Sequence, residues 1–224
     1  MIDNFKPYIE EFNRLFTVDK STEDFHVLNH FFMSGDAEFY YAFIKYYKPS
    51  LVIEIGGGFS SILADKAGAK LVVIEPKASR KLIEYASGKF EIVQSKLQDV
   101  DLKMFDKLQP GDILFIDSSH RYDIDSDVEV ILEKILPNLK SGVFIHFHDI
   151  CWPKQYNDIY SGQQWNEQEE VRKILDEGRC KILWCGSEEH EKDVENMKKI
   201  FPSYVEMLKV YPKARASSLW LVKC

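Results

Sequence analysis

VIEIGGGFSS, residues 52–61, decides how the chain folds. Val52, Ile53 and Ile55 form a short apolar run that stops at three glycines. A buried parallel strand ends this way when the next turn has to let a ligand approach the backbone closely. Similar runs follow: with the first at 50–55 (SLVIEI), they lie at 70–75 (KLVVIE), 90–94 (FEIVQ), 112–117 (DILFID), 143–148 (VFIHFH), 180–185 (CKILWC) and 217–222 (SSLWLV). Helical stretches at about 60–67, 78–87, 125–136 and 167–176 lie between them. Five βα units followed by two closing strands predict an α/β fold, a doubly wound, mostly parallel seven-stranded sheet.

Upstream, Gly35-Asp36 opens a segment in which Phe39, Tyr40, Phe43, Ile44 and Tyr47 share one helical face until Lys48-Pro49 ends it. Such a stripe packs on a sheet, so residues 1–48 read as an N-terminal helical extension of a single domain, 1–224. Residues 186–212 read as an insertion before the last strand, with Ser187 as cap, acidic residues in the first turn and Lys198-Lys199 near the end. No internal repeat or linker divides the chain.

The 224 residues are 45% hydrophobic and 13% aromatic, enough for a sizeable core and against disorder. Lys and Arg total 29 against 36 Asp and Glu, a net charge of -7 without a long basic run, which argues against a nucleic-acid partner held by its phosphates. No stretch of roughly 18 apolar residues and no leader-like start are present, so the expectation is a cytoplasmic protein without membrane association, self-association being left open. Cys151, Cys180, Cys185 and Cys224 form neither a CxxC pair nor zinc-finger spacing and read as reduced thiols.

A glycine turn after the first strand of such a sheet serves two nucleotide cofactors. A nicotinamide site wants GxGxxG, with the pyrophosphate on the helix N-terminus. Gly56 and Gly58 fit its first two positions, but Ser61 stands at the third. Glu54-Ile55-Gly56-Gly57-Gly58-Phe59-Ser60 resembles instead the ExGxGxS/G motif of class I S-adenosylmethionine-dependent methyltransferases. That resemblance implies Glu54 near the methionine amino group, Gly56, Gly58 and Ser60 along the cofactor, and Glu75 on the ribose hydroxyls. A carboxylate suits an ammonium or a diol and repels a phosphate. Ser95 and Gln98, just after the third strand, lie where such folds receive adenine.

FIDSSHRYD (115–123) and FIHFHDICWP (144–153) each end a strand with a carboxylate, Asp117 and Asp149. On neighbouring strands these ends lie only about 5 Å apart in the pairing direction. Two carboxylates that close need a proton or cation between them, and Mg²⁺ is the usual occupant of an oxygen-rich site.

Asp117-Ser-Ser-His120, Ser126-Asp127-Val128 and His148-Asp149-Ile150 resemble the group that includes macrocin-type sugar O-methyltransferases and cephalosporin hydroxylase-like proteins. The resemblance implies Asp117 and Asp149 as metal ligands, with His148 as third where some members have glutamate, and His120 as general base beside Asp117. A histidine ligand favours Mn²⁺, Fe²⁺ or Zn²⁺ over Mg²⁺. Trp152-Pro153, Tyr156 and Trp165-Asn166-Glu167-Gln168 resemble the same group, and Trp152, Tyr156 and Trp165 are candidate walls of an acceptor pocket.

The expected function is therefore S-adenosylmethionine-dependent O-methylation of a small molecule, a sugar or secondary-metabolite hydroxyl, with or without a divalent cation. The alternatives are a nicotinamide-dependent oxidoreductase, a metallohydrolase built on His146-x-His148, His120 and Asp149, and an inactive cofactor-binding protein of the same fold.

Overall fold

β1 (Val52–Ile55) is an interior strand of the sheet, and its side chains feed two apolar layers. Val52 joins one core and Ile53 and Ile55 the other, following the two-residue period of a strand. The computed structural model describes residues 1–18 and 24–224; residues 19–23 of the expected N-terminal extension lie outside the described residues. The other strands are β2 (Leu71–Ile74), β3 (Glu91–Val93), β4 (Ile113–Ile116), β5 (Phe144–Phe147), β6 (Cys180–Cys185) and β7 (Leu219–Lys223). They form one seven-stranded sheet in the order β3-β2-β1-β4-β5-β7-β6, in which only β7 runs against the rest. The strand order reverses between β1 and β4, and a crevice opens there at the carboxyl ends.

Helices α1 (Ile2–Leu15), α2 (Asp36–Tyr47) and α3 (Phe59–Lys66) cover one face. α2 carries the aromatic stripe: Phe39 stacks on Trp184 with centroids 4.1 Å apart, and Phe43 on Trp220 at the same separation. α4 (Arg80–Ala86) follows β2 and is capped by Ser79, whose Oγ accepts from the Leu82 amide. The opposite face is covered by α5 (Asp127–Glu129), which continues as a π-helical turn over Val130–Ile135 and a 3₁₀ turn over Leu136–Asn138. α6 (Tyr156–Ile159) and α7 (Glu167–Asp176) precede β6.

Residues 186–212 hold three short helices, α8 (Gly186–Lys192), α9 (Val194–Ile200) and α10 (Ser203–Val210). Ser187 does not cap the first of them: α8 starts at Gly186, and the buried Ser187 hydroxyl has no partner. β7 starts two residues later than its apolar pattern suggests. Ser217 and Ser218 donate their backbone amides to the Asp36 carboxylate instead of entering the sheet. All four cysteines are free thiols, with Cys180 and Cys185 at the two ends of β6. No helix among the described residues is long and apolar enough to cross a membrane.

Candidate active site

The sheet ladder itself builds the site. Past the strand ends, the Gly56 amide donates to Ile74, Asp117 to Ile55 and His148 to Ile116, which sets Gly56, Asp117 and His148 side by side. Gly56 has φ +83°, and a Cβ there would lie 1.9 Å from the Asp117 carbonyl oxygen, so the close approach of β1 and β4 requires glycine. A Cβ on Gly58 would meet nothing within 4 Å. Chain packing therefore does not demand that second glycine; it leaves open space beside the turn.

Within the turn, the Gly58 amide donates to Ser61 Oγ at 3.1 Å and the Gly57 amide to Glu75 Oε2 at 3.2 Å. The amides of Gly57 and Gly58 are thus engaged by side chains of this protein. Ser60 donates its hydroxyl to Glu54 Oε1, and the other oxygen of Glu54, fully buried, has no partner. A cavity of about 790 Å³ opens over this turn, lined among others by Gly56, Glu75, Gln98, Asp117 and Trp165. Glu54, Gly58, Ser60 and Ser95 are not part of its lining. Gln98 donates to the Asp125 carbonyl at 2.8 Å, and Ser95 to the carbonyl of Lys96 at 3.2 Å.

Beside Asp117, which lines the cavity, stand His120 and Asp149, which do not; the three each offer a ligand atom, all within 4.8 Å of one another. His120 Nε2 lies 3.4 Å from Asp117 and 3.6 Å from Asp149. Its Nδ1 faces Glu167 Oε2 at 2.9 Å. His120 and Asp149 both take the left-handed backbone region, with φ +57° and +56°. A non-glycine residue held there costs roughly 1–3 kcal/mol, and such outliers gather at functional sites. Asp149 does not stand directly across from Asp117. His148 occupies that register position, and the turn at Asp149 brings its carboxylate back beside Asp117.

His148 was expected as the third ligand, but it lies outside this group. Its Nδ1 is 3.6 Å from Asp117 and 3.7 Å from Asp149, while its Nε2 faces Asp36 at 3.7 Å and its ring packs on Phe32. Its two nitrogens thus face three carboxylates. Burial alone would lower its pKa, but Asp149 and then Asp117 raise it well above the ordinary histidine value. For Asp117 burial acts upward, yet His148 foremost, then His120, hold the carboxyl well below the usual range. His120 is raised to about 10: burial opposes this, and hydrogen bonds to Asp117 and Glu167 outweigh it.

His146 has no place in the cluster. It is fully buried, with Nε2 2.7 Å from Ser218 Oγ and its ring stacked 4.0 Å from Phe115, and burial holds it neutral. The metallohydrolase arrangement therefore lacks one of its histidines.

Trp165 lines the cavity with its ring 4.4 Å from that of His120. Trp152 and Tyr156, proposed from sequence beside it, are buried. Trp152 lies in the second core under the Arg172 guanidinium, 4.1 Å from its ring, and Tyr156 packs edge-on to Trp165 at 5.6 Å. Neither is part of the cavity lining. Tyr160 was not singled out from the sequence: its hydroxyl donates to Asp149 Oδ1 at 2.6 Å, and Ser217 Oγ donates to the same oxygen at 3.0 Å.

Comparison with known proteins bears on the fold. Residues 53–150 match a family described as Methyltransferase domain. An uncharacterized protein of Archaeoglobus fulgidus is 36% identical over 92 residues, which cover 36% of this chain and 41% of that protein. The match thus spans less than half of the relative's length. An O-methyltransferase from Bacillus cereus, solved in complex with SAH, superposes over 100% of both chains with a TM-score of 0.55 at 15% identity. The chain has the class I S-adenosylmethionine-dependent methyltransferase fold. The O-methyltransferase TomG from Streptomyces achromogenes is similar at 14% identity and a TM-score of 0.48, over 99% of this chain and 88% of that one. Gly56, Glu75 and Asp117 follow β1, β2 and β4 in this fold and together line the cavity.

Proposed function

We propose that this protein is an S-adenosylmethionine-dependent methyltransferase that acts on a hydroxyl of a small molecule, with a divalent cation at Asp117, His120 and Asp149. The observation that carries the reading is the cavity shared by the glycine turn, the Glu75 carboxylate and the Asp117 end of the metal-ligating cluster. The residues fit the cofactor: Gly58 leaves open space, Glu54 keeps one buried oxygen without a partner, and acidic Glu75 suits a ribose diol. Ser61 stands where a dinucleotide site has its third glycine, and the Glu75 carboxylate on the Gly57 amide would repel a pyrophosphate, which disfavours the oxidoreductase.

The donor set of two carboxylates and an imidazole fits a divalent cation such as Mn²⁺ or Mg²⁺. A cation there supplies Lewis acidity that makes an acceptor hydroxyl easier to deprotonate. His120 has one nitrogen facing both carboxylates, and that nitrogen cannot be ligand and base at once; we assign it to the ligand set. Asp117 and Trp165 line the cavity on the side of this cluster, so that an acceptor oxygen held there can be aligned with the sulfonium methyl. Residues 1–48 act as a helical extension of one domain, and the protein works without nucleic acid or membrane in the cytoplasm.

Thermal unfolding with S-adenosylhomocysteine, NAD and Mn²⁺, each alone, tests this. A ligand bound by the native state alone raises the midpoint, by about 2.7 kcal/mol of stabilisation at a hundred times its Kd. S-adenosylhomocysteine and Mn²⁺ are expected to raise it and NAD to leave it unchanged. A rise with NAD and none with S-adenosylhomocysteine would overturn the proposal.

A further inference from the structure

We propose that Glu167 is a positioning residue of the cation site: it fixes the His120 ring so that Nε2 faces Asp117 and Asp149. This rests on the reading of those three residues as a metal centre. Glu167 is fully buried, yet no Lys or Arg accompanies it among its described contacts; its partners are His120 Nδ1 at 2.9 Å and Ser118 Oγ, which donates to Oε1 at 3.2 Å. A carboxylate only accepts, so Nδ1 keeps its proton against Glu167, and the proton that a cation would displace is the one on Nε2. The ring is then set with its other nitrogen, Nε2, directed at the two carboxylates.

The backbone enforces the same arrangement. The amides of Asn166 and Glu167 both donate to the His120 carbonyl, at 3.0 and 3.2 Å, and Asn166 bonds the backbone of Tyr122 through both side-chain atoms. Trp165 lies against the imidazole, so its rotation is blocked on that side as well. Residues 165–167 thus grip His120 at its carbonyl, at one ring nitrogen and on its ring face. A metal-ligating histidine that donates its other N–H to a carboxylate is fixed in orientation and is a stronger ligand. Glu167 stands where that carboxylate is needed, and it arrives from an element 47 residues away.

The test uses the full chain, Mn²⁺ alone as the probe, and electron paramagnetic resonance of the free ion to measure binding. S-adenosylhomocysteine affinity is measured in parallel. Glu167→Gln is expected to weaken Mn²⁺ binding about 10- to 100-fold while cofactor affinity stays that of the parent. Glu167→Asp, which keeps the charge but is too short to reach Nδ1, is expected to do the same and decides the matter where the first variant does not fold. A folded variant that binds Mn²⁺ like the parent overturns the proposal, as does a parent chain that binds S-adenosylhomocysteine but no Mn²⁺. In the parent, nitrogen-15 spectra should show a slowly exchanging proton on His120 Nδ1; exchange at the rate of free imidazole would also overturn it. Failure of the parent to bind S-adenosylhomocysteine counts against the methyltransferase reading, and the Mn²⁺ comparison still decides the role of Glu167.

Discussion

Ser60 donates its hydroxyl to Glu54 Oε1, and nothing reaches the other oxygen of that buried carboxyl. Burial pushes Glu54 up to about 8 from its ordinary 4.5, against the pull of the Ser60 hydrogen bond. The folded protein therefore keeps a proton that the unfolded chain releases near 4.5. Stability contributed by this group is present below about 4.5 and is lost as pH rises towards 8. The slope is at most about 1.4 kcal/mol per pH unit. Glu54→Gln is expected to flatten the fall between pH 5 and 8, as measured by denaturant titration at several pH values. Parallel curves for parent and variant would show that Glu54 ionises normally.

Gly56 and Gly58 are expected to separate folding from cofactor binding. Gly56→Ala sets a Cβ against the Asp117 carbonyl and strains a positive φ, so it should cost more than about 1 kcal/mol of stability. Gly58 has φ 179°, outside the left-handed region, and its Cβ would meet only open space. Gly58→Ala should keep the parent's melting temperature and lose S-adenosylhomocysteine affinity by about tenfold or more, equivalent to about 1.4 kcal/mol. Titration calorimetry and thermal unfolding on both variants check this. Equal effects on folding and binding in the two variants would contradict the assignment.

The contrast between these glycines marks how far the sequence could be read. The glycine turn, Asp117, His120 and Asp149 were legible because each follows a strand whose apolar run is plain, and a parallel sheet gathers such ends at one edge. That His120, and not His148, would group with Asp117 and Asp149 was not legible. It depends on the lateral register, which sets His148 beside Asp117, and on left-handed backbone at two residues that are not glycine. Tyr160, Ser217 and Glu167 were missed as site residues for another reason: they lie 11, 68 and 47 residues from the groups they hold, on elements that meet only in the folded chain. The aromatic residues after β5 looked alike in sequence. Packing divides them into a buried Trp152 and a cavity-lining Trp165.

That division is measurable by fluorescence. Trp165 is the one tryptophan among the described cavity-lining residues, whereas Trp152, Trp184 and Trp220 are buried. Adding S-adenosylhomocysteine should change the emission of the parent, and Trp165→Phe should abolish the change while keeping the fold. Trp152→Ala should instead keep the ligand response of the molecules that remain folded and lose about 3–5 kcal/mol of stability, the usual result of emptying a large core site. A full response in Trp165→Phe would move the ligand away from that wall.

Tyr160 and Ser217 donate to one oxygen of Asp149, leaving the other directed at His120 and His148. Hydrogen bonds to a charged group contribute about 1.5–3 kcal/mol each. Here they share an acceptor, so removing one leaves the carboxylate still satisfied by the other. Tyr160→Phe and Ser217→Ala should each cost less than that range in urea unfolding at pH 7. The double variant should cost more than their sum by at least about 0.5 kcal/mol, because only then does that oxygen lose both donors. The same variant should bind Mn²⁺ more weakly than either single one, since an unanchored Asp149 can turn away from Asp117. Strict additivity in both measurements would mean that the two donors do not act through Asp149.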